Sequence, residues 1–391
     1  MVAPRLDLPA RLPDPPDVTG QPDANRTAPL RLLLAGGGTA GHVEPALSLA
    51  DAVLRRRPDT VVTALGTAHG LETQLVPARG HQLRLMPKVV MPRGDLRAWA
   101  GVPGGVWSAV RAAREVIVSE QIDVVVGFGG YVALPAYVAA RRLRVPFVVH
   151  EANARPGVAN RIGARFTPYV AVSVPSTVDD LPHAQLVGIP LRRSITTLDR
   201  AAVRERARET FGLDVDRPTL LVFGGSQGAR SINEAMRGAS RHLLDSGVQV
   251  LHAIGPQNRL EIDRRPDDPP YVTVPYVDRM DLAYAAADLV LARSGAMTCA
   301  ELAAVGLPAV FVPYPHSNGE QAVNAEALVE AGAAVVVRDE ALSAVVVEHL
   351  VGGLVLDDER LRTMSAATVA LGARDADDRL ATMVLKAVTS T

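Results

Sequence analysis

The apolar positions of this chain fall into short uninterrupted runs, each followed by a glycine or serine turn and then by a longer stretch with helical spacing. Leu30–Ala35 leads into Gly36-Gly37-Gly38 and a segment in which Ala46, Leu47, Leu49, Ala50 and Val53 share one helical face. Val61–Leu65, Asp123–Val126, Val145–Val149, Val170–Val174 and Gln185–Gly188 read as further buried strands. The pattern restarts at Thr219–Phe223 and Gly224-Gly225-Ser226-Gln227-Gly228. It continues through Val248–Ile254, Tyr271–Val274, Asp288–Arg293, Ala309–Val312 and Ala333–Val337, and from about Ser343 it is helical. Continuous apolar strands alternating with helices predict parallel sheets covered on both faces. The chain is therefore expected to be α/β, with two Rossmann-like, doubly wound parallel-sheet domains and a cleft between them. Residues 30–190 form the first expected domain and residues 191–371 the second, with the crossing at Gly188-Ile189-Pro190-Leu191-Arg192-Arg193. Residues 1–29, rich in proline and without an apolar core segment, read as a disordered tail.

The most informative stretch is Asp288–Asn324. A strand breaks at Ser294-Gly295, Met297–Val305 reads as a helix closed by Gly306 with Pro308 beyond it, and Ala309–Val312 is the next strand. In such sheets ligands occupy the crevice beyond the carboxyl ends of the strands. Ser294, Thr298, Glu301, Asn318, Glu320 and Gln321 would all stand there, a set suited to a nucleotide sugar. Thr298-x-x-Glu301 also fits a capping box. Glu301 thus has two readings: the third residue of a helix, or a carboxylate that accepts both hydroxyls of a ribose.

Composition narrows the field. A length of 391 residues suits two domains, since single cores stop growing at roughly 250–300 residues. A net charge of −1 and aromatics at 4% argue against nucleic acid as a partner. The single cysteine, Cys299, excludes an internal disulfide framework and fits a reducing compartment. No secretory signal is visible, and no apolar run approaches the roughly 18–20 residues of a membrane span. Met86–Arg114 stands apart: both tryptophans, Trp99 and Trp107, are interleaved there with Lys88, Arg93, Arg97, Arg111 and Arg114. It reads either as a loop and amphipathic helix packed on the sheet or as a contact for an anionic membrane surface.

Three motifs are lures. Gly36, Gly38 and Gly41 satisfy the dinucleotide fingerprint, but the second strand ends Ala64-Leu65-Gly66-Thr67 with no acid to hold a ribose. Gly224-Gly225-Ser226-Gln227-Gly228 matches a nucleophile elbow. Its histidine partner would have to come from a loop, and of the later histidines only His316 is placed on one. The alternative is a phosphate bound by Ser226 and the helix start. Asp214-Val215-Asp216 resembles a metal clamp but precedes its strand, and reads as a solvated loop.

GGTxGH (Gly37–His42), GxGGY (Gly127–Tyr131), HExNxxxGxxNR (His150–Arg161), GGSxGA (Gly224–Ala229), RSGAxTxxE (Arg293–Glu301) and PxxHxxxxQxxNA (Pro313–Ala325) occur in that order. Together they resemble the MurG family of glycosyltransferases, family 28, from Leu30 to the C-terminus. The resemblance implies a GT-B fold whose C-terminal helix, about 372–391, packs back on the first domain. It implies inverting transfer of N-acetylglucosamine from UDP-GlcNAc to the C4 hydroxyl of lipid I, giving lipid II, without metal or cofactor. The implied setting is the cytoplasmic face of the cell membrane, with other cell-wall synthesis proteins as candidate partners. By position, Thr39, Ala40, Gly41 and Asn153 approach the donor from the first domain. Arg192 and Ser226 match diphosphate contacts, Val277 a uracil contact, Ala296, Met297, Thr298, Cys299, Ala300 and Glu301 the loop around sugar and ribose, and Gln321 a sugar contact. Gly38, Gly127, Gly129, Gly130, Tyr131 and Asn160 fall on the acceptor side, and His42 matches the suspected base. His42 can alternatively orient substrate without taking a proton. The chain departs from the family pattern at Ile189-Pro190-Leu191-Arg192, at Ala152 and at Glu320. Another UDP-sugar enzyme on this fold, such as a 2-epimerase, and a non-catalytic scaffold are the competing readings.

Overall fold

A computed structural model describes residues 28–37, 40–68, 70–87, 102–315 and 319–390. Gly38, Thr39, His316, Asn318, Lys88, Arg93, Arg97, Trp99 and nearly all of the proline-rich tail lie outside the described residues. Seven strands, β1 (Arg31–Ala35), β2 (Val61–Gly66), β3 (Gln82–Leu85), β4 (Val124–Gly127), β5 (Phe147–Glu151), β6 (Val170–Val172) and β7 (Ala184–Leu186), form one sheet in the order β3-β2-β1-β4-β5-β6-β7. Six more, β8 (Thr219–Phe223), β9 (Gln249–Ala253), β10 (Tyr271–Val274), β11 (Leu289–Ala292), β12 (Ala309–Phe311) and β13 (Ala334–Val336), form a second sheet in the order β10-β9-β8-β11-β12-β13. Every pairing is parallel. This is the GT-B arrangement of two parallel-sheet α/β units.

The apolar runs are continuous because each strand feeds two cores. In β1, Leu32 and Leu34 face a layer with Leu47 and Val53, while Leu33 and Ala35 face one with Ala109 and Ala136. In β8, Leu221 and Phe223 face one core of the second sheet, and Leu220 and Val222 the other. The strand missing from the sequence reading is β3, an edge strand with no apolar run: Gln82 to Leu85 simply alternate, and Leu85 stays exposed.

Both sheets reverse direction at one place, between β1 and β4 and between β8 and β11. The glycine turns stand at those switch points, where a crevice opens. The chain passes between the halves at Gly188 (φ +93°): Val187 belongs to a core of the first sheet, and Ile189 and Leu191 to one of the second. The last helix, Ala376–Thr389, returns to bury Leu380, Met383, Val384 and Ala387 in the first sheet's core. Asp377 meets Arg55 there at 2.6 Å.

Candidate functional site

On the first sheet, β1 ends at Ala35 and a helix runs from Ala40 to Arg56, which places His42 in the first helical turn at the switch point. Gly129 and Gly130, at the exit of β4, lie over its ring with φ of +91° and +73°. A Cβ on Gly129 would stand 3.4 Å from His42 Nε2, and one on Gly130 would stand 3.7 Å from Nδ1 and 3.3 Å from the Gly37 carbonyl. Glycine is required for the backbone conformation and lets the loop settle onto the imidazole. Burial pulls the His42 pKa below the ordinary histidine range, against a Gly37 backbone hydrogen bond and the charge of Glu72, which raise it.

Behind His42 lies a buried polar brace at the end of β5. Glu151 accepts from the Asn153 backbone N–H (3.0 Å), the Gly157 N–H (2.9 Å) and Asn160 Nδ2 (2.9 Å). Asn160 Nδ2 also donates to the His150 carbonyl at 3.0 Å, and its Oδ1 accepts from Tyr137 Oη at 2.8 Å. Burial raises the Glu151 pKa and the three N–H groups lower it. Of the expected acceptor residues, Gly129, Gly130 and Asn160 gather around His42 while Gly127 faces Tyr137, and Asn160 is fully engaged inside the fold. Tyr131 is exposed at the loop, and Asn153 is partly exposed at the cleft. Glu151 and Tyr137 were not singled out in the sequence, although Glu151 stood in the quoted motif.

On the second sheet, the capping-box reading of Glu301 is corrected. The helix runs Ala296–Val305 with Gly295 as its N-cap, so Glu301 is its sixth residue, buried beneath the first turn. Its oxygens meet Tyr284 Oη at 2.7 Å and Arg192 Nη2 at 3.3 Å. Burial raises its pKa, and Arg192 and the Tyr284 hydroxyl lower it. Arg192 also faces Glu44 of the first half, Nε to Oε2 at 4.0 Å, and Glu44 meets Arg79 at 3.2 Å. Asn324 joins the halves a second time, accepting from the Ala154 N–H at 3.0 Å and donating to the Ser294 carbonyl at 3.4 Å.

The remaining donor-side residues differ in what they can offer. Gly41, Ser226, Ala296, Met297, Thr298 and Ala300 are partly exposed around the strand exits. Ala40 opens the first helix. The Val277 side chain is buried in a core, which leaves its backbone for any base. Gln321 Oε1 accepts from the Tyr314 N–H at 2.9 Å. The Cys299 thiol is buried and pushed up to about 12, far from a nucleophile's range. Sequence reasoning passed over Glu44, Tyr284 and Asn324, because what distinguishes them is a partner far away in the chain.

Neither the elbow nor the metal-clamp motif gains support from the described residues, and His316 lies outside them. His252 lies in the core between Tyr271 Oη and Asn233 Oδ1, each at 3.0 Å, and burial lowers its pKa to about 3. His242 and His349 pack on each other, ring centroids 6.4 Å apart. None of the three is placed as a base for Ser226. Asp214 pairs with Arg217 in the exposed loop before β8.

Comparison with known proteins agrees with this geometry. Residues 32–172 match the glycosyltransferase family 28 N-terminal domain and residues 219–380 match the family 28 C-terminal domain. A relative from Saccharopolyspora erythraea is 58% identical over 92% of this chain and 95% of its own. One from Streptomyces avermitilis is 54% identical over 92% of this chain and 99% of its own. Both are named UDP-N-acetylglucosamine–N-acetylmuramyl-(pentapeptide) pyrophosphoryl-undecaprenol N-acetylglucosamine transferase. The crystal structure of Acinetobacter baumannii MurG is similar with a TM-score of 0.73 at 27% identity, covering 92% of this chain and all of that one.

Proposed function

The chain belongs to glycosyltransferase family 28, and from that premise we propose that it transfers N-acetylglucosamine from UDP-GlcNAc to the C4 hydroxyl of lipid I, giving lipid II. The observation that carries the reading is the facing of two half-sites: Arg192 stands between Glu44 beside His42 and Glu301 of the second sheet. In the proposed reaction the C4 oxygen bonds to the sugar's C1 as the bond from C1 to the diphosphate breaks. The electron pair leaves on UDP, and the hydroxyl proton passes to His42. One displacement inverts the anomeric centre. Burial favours the neutral form of His42, the form a general base needs. Glu301 offers its remaining acceptor positions to the ribose hydroxyls, the Val277 backbone and the partly exposed residues 296–298 line the base and sugar, and Gln321 turns to the sugar. Arg192 and the Ser226 loop take the diphosphate. The glycine loops at Gly127–Gly130 offer N–H groups to the acceptor's own diphosphate.

The acceptor carries a polyprenyl chain, so the enzyme must meet a bilayer. Among the described residues no helix is long and apolar enough to cross a membrane. We assign the contact to the outer face of the first half, on the cytoplasmic side. Exposed Trp107 and Phe166 lie there beneath guanidinium groups, Arg142 at 4.6 Å from the Trp107 ring centroid and Arg141 at 3.9 Å from that of Phe166. Between them opens a groove of about 230 Å³ lined by Leu134, Val138 and Ile162. Aromatic rings under cations suit an anionic headgroup layer. The direct test incubates the purified protein with labelled UDP-GlcNAc and a lipid I analogue. Transfer of label with release of UDP is expected. Epimerised UDP-sugar without transfer, or no turnover, would overturn the reading in favour of an epimerase or a silent scaffold.

A further inference from the structure

Glu72 is wholly buried at the start of the helix Glu72–Ala78, and the proposed reaction gives it no part. Its Oε1 accepts from the Thr67 backbone N–H at 2.8 Å and from the Thr67 hydroxyl at 3.0 Å. The carboxylate fills the space that side chains on two glycines would take: a Cβ on Gly37 would lie 2.7 Å from Oε1, and one on Gly70 would lie 1.8 Å from Oε2. Gly37 is also the residue whose backbone bonds the His42 ring. The Gly37 peptide is thus a thin shared wall, with a buried carboxylate on one side and the imidazole on the other. A glutamine would offer Thr67 the same acceptor oxygen but no charge toward His42. Across Gly37 the carboxylate faces the cation that His42 becomes on taking a proton, and opposite charges at such a separation favour each other.

We propose that Glu72 is a positioning residue for His42, fixing the imidazole through the Gly37 peptide and stabilising the imidazolium formed when the acceptor hydroxyl gives up its proton. This rests on His42 being the base. Its electrostatic part does not, because Glu72 acts on His42 whatever the ring does. The other groups around His42 do not substitute for it. His150, on β5, is held near pKa 4 by burial and stays neutral. Glu151 is engaged by Asn153, Gly157 and Asn160. Glu44, on the same helix as His42, pairs with Arg79 and faces Arg192.

The test is Glu72→Gln in the full chain, with His42 followed by NMR on histidine-labelled protein and assigned by its absence in His42→Ala. The expected result has His42 titrating at lower pH than in the parent, because a raising charge is gone. The acid limb of kcat/KM moves the same way, and kcat falls about tenfold, part of the ~10²–10⁴ that general-base catalysis supplies. UDP affinity, read by calorimetry, stays within twofold. A folded variant whose His42 titrates as in the parent overturns the proposal. A His42 titration that moves while the acid limb stays put upholds the electrostatic pairing and overturns His42 as the base. Should Glu72→Gln fail to fold, Glu72→Asp takes its place, since it draws the charge back from Gly37. The same downward move is expected, and its absence overturns the proposal.

Discussion

The two half-sites are built from the same parts, a strand, a glycine turn and a helix start, yet they hold their polar groups differently. In the first half, Glu151, Asn160 and Tyr137 are sealed into a buried network behind His42, and the hydrogen bonds that link them stay inside the fold. In the second, Glu301 is buried against Tyr284, but the helix start at Ala296, Met297 and Thr298 is partly open. A rigid wall suits the placing of one proton acceptor, because small displacements of reacting groups cost rate. An open rim suits a ligand whose sugar, ribose and phosphates arrive along several backbone segments. On the proposed reading, the first half serves reactivity and the second affinity.

The sharpest way to break that division is at His42. His42→Ala is expected to lower kcat by ~10²–10⁴ while leaving UDP-GlcNAc affinity nearly unchanged. Calorimetry with single-turnover assays separates the two. A fall in turnover of less than tenfold would return His42 to an orienting role.

The complementary change is Glu301→Ala, which should weaken UDP and UDP-GlcNAc alike by roughly 1.5–3 kcal/mol, the worth of hydrogen bonds to a charged acceptor. Turnover at saturating donor should change far less. The effect also carries a pH sign. Burial raises the Glu301 pKa, and in the proposed complex it is the ionised form that accepts the ribose hydroxyls. UDP affinity should therefore start to fall, as pH drops, sooner than an ordinary glutamate would allow. Affinity that stays flat through the weakly acidic range would remove Glu301 from the ribose.

Next in size stands Asn160→Ala, aimed at the wall itself. It removes a donor from Glu151 and the acceptor of Tyr137. Leaving buried partners unsatisfied costs about 1–3 kcal/mol, read as a lower denaturant midpoint, with kcat falling before UDP affinity does. Unchanged stability would mean that water replaces the amide.

How much of this could be read from residues alone follows the same physics. The strands were legible because burial on both faces leaves apolar runs, as in Thr219–Phe223, which matches β8 residue for residue. The edge strand β3 has only one half-covered face and left no run. Gly306 was recognisable as the helix stop and takes φ +68°. Glu301 announced itself through its motif, but its helical position was misjudged, because a capping box and a mid-helix carboxylate share one spacing. The partners Tyr284, Arg192 and Glu44 lie 17 to 148 residues from the groups they serve. No local pattern encodes that, and only the fold brings them together.

The smallest expected effect concerns the surface rather than the cleft, and it asks whether the first half's division of labour extends to its outside. Trp107 is 58% exposed on the helix Val102–Ser119, with Arg111 one turn further on and Arg142 stacked over the ring. A soluble surface has no need of so large an exposed ring, and shielding by one arginine recovers only about 0.5–1 kcal/mol. An anionic bilayer gives both groups a place: the ring at the headgroup level and the cations against lipid phosphate. Each basic residue near such a surface contributes about 1 kcal/mol. Arg111→Ala with Arg142→Ala should therefore lower the partition onto anionic vesicles roughly 30-fold. Both side chains are exposed, so melting temperature and UDP affinity should hold. Binding to neutral vesicles should be weak from the start, and raising the salt should mimic the double variant by screening. If the variant sediments with anionic vesicles as well as the parent does, the ring and its arginines are ordinary surface, and the proposed membrane contact is not made by them.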